Sequence, residues 1–310
     1  MTGCSAGYSS RSSDADFVIG ENVLEFADGV QTLADIEERT FNVTVARFVR
    51  DTDTGEGSIR VSEETVTLAS GFTTGEATDL TLSLDGDVLT FVNGRAAMGS
   101  GQTVWGYLNF KLDRPTTHSA TGGFYSYEKY LEASESTVQE TEGYFAIGFQ
   151  TDPDEILEMS GPMEYLGEYH GFGQLLDVEN RLLDDELVTN GRISITVDFD
   201  RSSASGVLNG VFDPKGADDA YQMFFVDAPL DGNSFAAAPD MVCAPGAACT
   251  SATNLGGSFF GPEADEISGV IGFDETTEIG DTTTRFIGAA GFSTTRHPEP
   301  PETSETPSAD

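Results

Sequence analysis

The sequence predicts an all-β protein built from antiparallel strands. Short runs of alternating apolar and polar residues recur roughly every ten to fifteen positions, bounded by Gly, Asp or Asn turns. The 35 glycines and 21 phenylalanines, with abundant Thr and Ser, suit pleated, tightly turned chain. Helical periodicity is confined to two short segments. At 310 residues the chain can bury one large core or two moderate ones.

The elements follow in order. VQTLADIEERT (30–40) has the period of about two helical turns. FNVTVARFVR (41–50) alternates through Val43, Val45 and Phe48, with a bulge between them. SIRVS and TVTLAS follow, then DLTLSLDGDVLTFVNG, in which Asp85-Gly86 turns a hairpin. TVWGYLNFKL (103–112) carries the only tryptophan, Trp105. GGFYSYEKY (122–130) is dense in aromatics, and its Tyr125, Tyr127 and Tyr130 are candidate ligand contacts; strand core explains them equally well. Either the connector LDRPTTHSATGG (112–123) or the polar run 131–143 marks a domain boundary, placed near 140.

The second half repeats the pattern. GYFAIGFQT (143–151) ends at DPDEILEMSGP, which reads as an ordered loop. MEYLGEYHGFG, GRISITVDFD, SGVLNGVF, AYQMFFVDAPL, GSFFG to EISGVIGFD, and TRFIGAAGFS all read as strands. DVENRLLDDEL (177–187) alone has a short helical alternative, with Leu182, Leu183 and Leu187 on one side. About eight strands between Gly143 and Ser293 suffice to close one small barrel, a sandwich being the alternative. The proline-rich TTRHPEPPETSETPSAD has no apolar period and is expected to be disordered. The expected division is a tether (1–15), a β-rich domain (16–140), a barrel (141–294) and a tail (295–310).

Charge limits the partners. Fifteen basic against 53 acidic residues leave a net charge of -38, which repels nucleic acid and anionic lipid. The same balance attracts cations or a basic protein, or adapts the surface to a salty medium. No run of about 18 apolar residues is present, so nothing spans a bilayer as a helix. Cys243 and Cys249 flank a Pro-Gly turn and are expected to form a disulfide, which implies an oxidising compartment. MTGCSAG resembles the end of a bacterial lipoprotein signal, with Cys4 as the lipidated residue and Met1 where leucine is usual. The charged and apolar parts of such a signal do not precede it, which a late-assigned start codon would explain; an incidental cysteine is the alternative.

No catalytic set emerges, and the chain is expected not to be an enzyme. GGSFF fails the serine-hydrolase elbow at its last position. The three histidines have no triad or zinc spacing. DTDTGEG (51–57) begins like a calcium loop, but Gly55 replaces the third oxygen ligand and no Glu stands at the twelfth position, so it reads as a turn with solvated acids. No cofactor or metal is required. Haem is the open alternative, through His170 between its neighbouring tyrosines, although an ordinary strand histidine fits that position first.

GGSFFGPEADEISGVIGFD (256–274) holds an acidic tetrapeptide framed by glycines. Glu263 and Asp265 begin the Glu-x-Asp-x-x-Glu pattern of jelly-roll glycosidases, but Ser268 occupies the third place and Pro262 interrupts a central strand. Gly256 and Gly257 are expected to bend the strand and Gly261-Pro262 to begin a turn. Glu263 to Glu266 are expected to form one helical turn, and Ile267, Gly269, Ile271 and Phe273 to face inward.

This stretch, through Gly257, Phe259, Gly261, Pro262, Glu266 and Gly269, resembles the Gly-x-Phe-Tyr-Gly-Pro-x-Ala-x-Glu-x-Gly-Gly motif of the transferrin-binding protein B family. Phe260 and Ser268 depart from it. SGPMEYLGEYHGFG, ISITVDFDRSSASGVLNG and GYFAIGFQTDPDEI resemble further barrel segments in the right order, covering roughly 143–292. The resemblance implies a handle-like N-terminal domain followed by an eight-stranded antiparallel barrel on a bacterial outer-membrane surface lipoprotein. It implies capture of a ligand for presentation to an outer-membrane transporter, with a TonB-dependent receptor as a second partner. Family members bind host iron proteins, haem or haemoglobin, or complement regulators, so the ligand is an iron- or haem-carrying protein or a small solute. The alternatives are an adhesive or structural β-protein and a jelly-roll carbohydrate-active enzyme.

Overall fold

The computed structural model describes residues 37–51, 57–70, 80–84, 87–91, 95–98, 104–113, 117–132, 135–179, 181–213, 219–243 and 245–297. In the first half it describes side chains for parts of four strands only. The architecture is all-β: an antiparallel sheet followed by a closed antiparallel barrel.

The first sheet comprises β1 (Glu37–Asp51), β2 (Gly57–Ser70), β3 (Leu80–Leu84), β4 (Asp87–Phe91), β5 (Arg95–Met98), β6 (Val104–Asp113), β7 (Ser119–Glu132) and β8 (Glu135–Gly148). Their order is β4-β3-β2-β1-β8-β7-β6-β5. The outer strands β4 and β5 are consecutive in the chain. Phe91 and Arg95 are therefore tied within about 14 Å of each other, whereas a flat row of eight strands would hold its edges about 34 Å apart. Connectivity thus curls the sheet round on itself.

The helix expected over 30–40 is corrected where the chain is described. Residues 37–40 belong to β1, with Arg39 opposite Leu68 and Thr40 opposite Thr67. About two turns of isolated helix cannot repay nucleation, whereas a long ladder can. Position 140 falls within β8, which pairs with β7 through Gly148. The passage to the barrel occupies 149–161.

That passage contains α1 (Pro153–Glu158), where the sequence suggested an ordered loop. Asp152 caps it by accepting from Asp154 N at 2.9 Å, Pro153 opens the first turn, and Asp154 and Glu155 favour its positive end. Ile156 is buried with the barrel core, so tertiary contact supports so short a helix.

The barrel contains β9 (Pro162–Asp177), β10 (Leu182–Asp198), β11 (Ser203–Asp213), β12 (Asp219–Asp231), β13 (Ser234–Ala237), β14 (Asp240–Met241), β15 (Ala247–Ser251), β16 (Asn254–Phe260), β17 (Glu266–Ile279) and β18 (Thr282–Arg296). The ring runs β9-β10-β11-β12-β13-β16-β17-β18 and closes through β18 and β9. β14 prolongs the β13 side along β12, and β15 prolongs the β16 side along β17. The ring therefore has eight staves, and closure leaves no open edge within it. The helical alternative for 177–187 is overruled: β9 ends at Asp177 and β10 begins at Leu182, with two register shifts absorbing the irregularity.

Alternation along the strands fills the barrel interior with Tyr165, Tyr169, Phe225, Phe235, Phe259 and Phe273, among others. Ile267, Ile271 and Phe273 face inward together, as the sequence suggested. Burying each large ring contributes about 1.5–3 kcal/mol. Tyr169 is the tightest fit, because a methyl group added at Gly210 would stand 1.7 Å from its hydroxyl oxygen. Replacing Gly210 by Ala is expected to destabilise the protein by about 1–3 kcal/mol. Urea titration of the variant against the unaltered protein measures this.

Candidate functional site

The acidic stretch is a turn between β16 and β17, and its carboxylates are already engaged. Gly261 has φ 89, and a Cβ there would meet the His118 ring at 2.8 Å. Ala264 has φ 50, the left-handed conformation, and the Tyr165 hydroxyl donates to its carbonyl at 2.8 Å. Burial raises the Tyr165 pKa, so the phenol remains a donor. The helical turn expected over 263–266 is therefore corrected: the left-handed residue reverses the chain, and Glu266 opens β17.

Arg296 closes this turn from outside. Its guanidinium donates to the Glu263 carbonyl at 3.1 Å, and approaches the Glu263 carboxylate at 3.2 Å and Asp265 at 2.8 Å. Its backbone N–H donates to Asp265 O at 2.7 Å.

Glu266 points the other way, into the joint between sheet and barrel, and is only 3% exposed. Its carboxylate accepts from Thr117 N at 2.7 Å, from His118 N at 3.0 and 3.2 Å, and from Ser119 Oγ at 2.9 Å. Ser119 Oγ lies 2.7 Å from Ser268 Oγ, which donates to Ser293 Oγ at 3.0 Å. Ser268, a departure from the family motif, thus supplies a hydroxyl link across three strands. Apolar contacts continue the joint: Ala46 and Tyr144 with Val270, Ala289 and Phe172, then Phe48 and Ile59 with Leu176 and Ile287. Gly272 lies beneath Ile59, and Gly291 beneath Thr121. A cavity of about 20 Å³ remains at this joint, the size of one water.

Inside the barrel, hydroxyl groups pair with one another. The Tyr169 and Tyr221 hydroxyls are 2.5 Å apart, and Thr189 Oγ1 lies 2.7 Å from the Tyr221 hydroxyl. Burial raises both phenol pKa values. Glu275, inward on β17, accepts from Thr253 Oγ1 and from Ser251 Oγ, the latter at 2.7 Å. Its Oε2 is buried without a hydrogen-bond partner. Desolvation pushes its pKa up to about 7; Asp274 and Asp240 add to the rise, and the two hydroxyls oppose it. Asp274 itself is paired bidentately with Arg285, both contacts at 2.7 Å.

The other residues singled out in the sequence are scattered. Gly257 and Phe259 lie on β16, the glycine beneath the Phe235 and Phe292 rings. A side chain at Gly269 would strike Gly256 O at 2.0 Å. Pro262 follows Gly261 in the turn. Cys243, two residues beyond β14, and Cys249, within β15, are joined, with Cα atoms 5.8 Å apart. His170 is half-buried on β9, edge-on to Phe172 with ring centres 5.2 Å apart. Tyr125, Tyr127 and Tyr130 lie on β7, with Tyr127 opposite Tyr107 and Glu140; their side chains fall outside the described residues. Cys4 also lies outside them. Arg296, Tyr165 and Ser119 carry no pattern in the sequence that marks them; an Arg at the end of β18, in so acidic a chain, is the one available signal.

A curled sheet docked on a closed, aromatic-filled barrel defines a handle-and-barrel unit. Residues 158–291 match the family described as the C-lobe and N-lobe beta barrels of Tf-binding protein B. Among solved structures, a double mutant of Transferrin Binding Protein B from Haemophilus parasuis Hp5 is 18% identical with a TM-score of 0.37, covering 81% of this chain and 45% of its own. Intact Ap-TbpB, with N and C lobes, gives 17%, 0.39, 82% and 46% for the same quantities. Isotype 1 transferrin binding protein B from serogroup B Neisseria meningitidis gives 13%, 0.38, 82% and 44%. The chain thus spans less than half the length of each. No curated protein matches it.

Two consequences are measurable. Glu266→Ala strands the buried His118 N–H and removes the acceptor of the part-buried Thr117 N–H, and is expected to cost about 2–4 kcal/mol, read by urea denaturation. Glu275, with its pKa raised from 4.5 to about 7, binds in the fold a proton that the unfolded chain has already released. Its contribution is therefore greatest below about pH 4.5, declines as pH rises to about 7, and then levels off. Thermal melts across that range are expected to lose this decline in Glu275→Gln.

Proposed function

We propose that the protein is a bacterial cell-surface lipoprotein that binds an iron- or haem-carrying protein and presents it to an outer-membrane transporter. The observation that carries this reading is the match of residues 158–291 to the Tf-binding protein B barrels. In this reading Cys4 is the lipid anchor and residues 1–15 the tether. Residues 16–148, through β8, form the handle-like domain, 162–296 the barrel and 297–310 the tail, with 149–161 joining the two. The Cys243–Cys249 bond agrees with a location outside the reducing cytoplasm.

The filled barrel favours a protein ligand over a small solute. A small molecule needs an enclosing pocket of about 300–1,000 Å³; aromatic rings occupy the barrel interior here, and the hollow of about 680 Å³ on the outer wall beside Arg192, Gln222 and Val242 is broadly open to solvent. A protein ligand needs only a complementary outer surface, with Tyr125, Tyr127 and Tyr130 as candidate contacts. A TonB-dependent receptor is the transporter of choice, and the protein itself performs no catalysis. Haem would have to bind outside the barrel, at the half-buried His170.

Surface plasmon resonance of the purified chain against iron-loaded transferrin and haemoglobin is expected to show saturable binding of at least one. A haem titration is expected to leave the Soret band as it is for free haem. Failure to bind either protein would leave the adhesive or structural reading. A Soret shift lost in His170→Ala would make haem itself the ligand.

A further inference from the structure

We propose that the barrel wall formed by β11, β12 and the end of β14 is a docking surface for a protein that presents apolar side chains ringed by lysine or arginine. The inference rests on the proposed function and names the surface that would serve it. In the ring order, β11 and β12 lie diametrically across from β17 and β18, against which the first sheet rests. This wall thus faces away from the joint.

An apolar centre stands out there. Phe224 is 39% exposed, Val226 66% and Val242 46%. Register places Val207 beside Phe224 and Phe224 beside Asp240, so these side chains share the outer face. Val242 N donates to Gln222 O at 2.8 Å, which holds Val242 against β12.

A backbone irregularity builds this centre. The β11–β12 register steps from Ala204 opposite Ala228 to Gly206 opposite Phe225, so Val226 and Asp227 together face Ser205. This is a β-bulge, a device that re-aims a side chain. Asp227 adopts φ 53, a conformation costly for a residue with a Cβ, and its N–H donates to Ser205 Oγ at 3.0 Å. A regular ladder would turn one of these two residues inward. The bulge directs both outward, placing an apolar and an acidic side chain side by side.

The rim selects the partner. Gln222 Nε2 donates to Asn209 Oδ1 at 2.7 Å, giving an amide border. Asp227 and Asp240 flank the apolar centre and have no ion pair among the described residues. The nearby cation, Arg192, lies on β10 opposite Asn209. An apolar centre with a polar rim is the anatomy of a protein interface. Unpaired carboxylates call for basic groups opposite them. A second copy of the chain fits poorly, since a two-fold contact would bring the same acids together in a molecule of net charge -38.

The test uses the full chain and the same two probes, iron-loaded transferrin and haemoglobin. Phe224→Ser and Val226→Ser are exposed substitutions, and thermal melts confirm that the variants remain folded. Each is expected to weaken probe binding about tenfold or more, and Asp227→Asn with Asp240→Asn to reduce its salt dependence. Unchanged affinity in folded variants overturns the surface while leaving the proposed function standing. Failure of the unaltered protein to bind either probe overturns both. A dimer in sedimentation that Phe224→Ser dissociates also overturns the proposal, because the patch would then be an interface between copies.

Discussion

The joint depends on one buried carboxylate. Glu266 accepts from two successive backbone N–H groups and a serine hydroxyl, all contributed by residues 117–119 where the chain enters β7. An acid this buried is tolerated only because donors replace its hydration shell. Satisfying it fixes where β7 starts relative to β17. The Ser119–Ser268–Ser293 hydroxyls and the apolar contacts of Ala46, Phe48, Tyr144 and Leu176 then extend the alignment along the joint.

The opposite side of the same turn obeys a different constraint. Glu263 and Asp265 face outward and share Arg296, while Tyr165 holds the Ala264 carbonyl from within the barrel. A tetrapeptide that looks like a catalytic cluster is divided between three mechanical tasks. Cations are scarce, with 15 Lys and Arg against 53 acids, and several described arginines are committed to acids: Arg181 to Asp177, Arg201 to Asp198, Arg285 to Asp274 and Arg296 to Asp265. The surplus acids leave a field that repels polyanions and draws in basic partners.

The barrel interior sets what kind of ligand the protein suits. Rings from neighbouring staves meet at centroid distances of 6.0 Å for Phe225 and Phe235 and 5.7 Å for Phe273 and Phe286, and Tyr221 on β12 reaches across the barrel to Phe273 on β17 at 6.3 Å. Close packing of this kind leaves recognition to the outer wall. There a bulge at Val226–Asp227 departs from regular pairing and exposes what the ladder would otherwise bury.

Periodicity and turn chemistry carried the all-β class, seven of the eight staves and the inward face of Ile267, Ile271 and Phe273, because alternation is a local property of a strand; residues 143–148, counted with the barrel, belong to β8, and the short stave β13 supplies the eighth. The motif around Gly261 pointed to the family that residues 158–291 match for the same reason: its left-handed glycine and tight turn are written in adjacent residues. Local signals misled where long-range pairing overrode them, at 37–40 and at 177–187, and the cap signal of Asp152-Pro153 for α1 went unread. Only the tertiary structure decided what the acids do. Glu266 meets its donors across 147–149 residues of chain, and Arg296 meets Glu263 across 33. No spacing rule spans such separations; strand register and barrel closure bring these groups together.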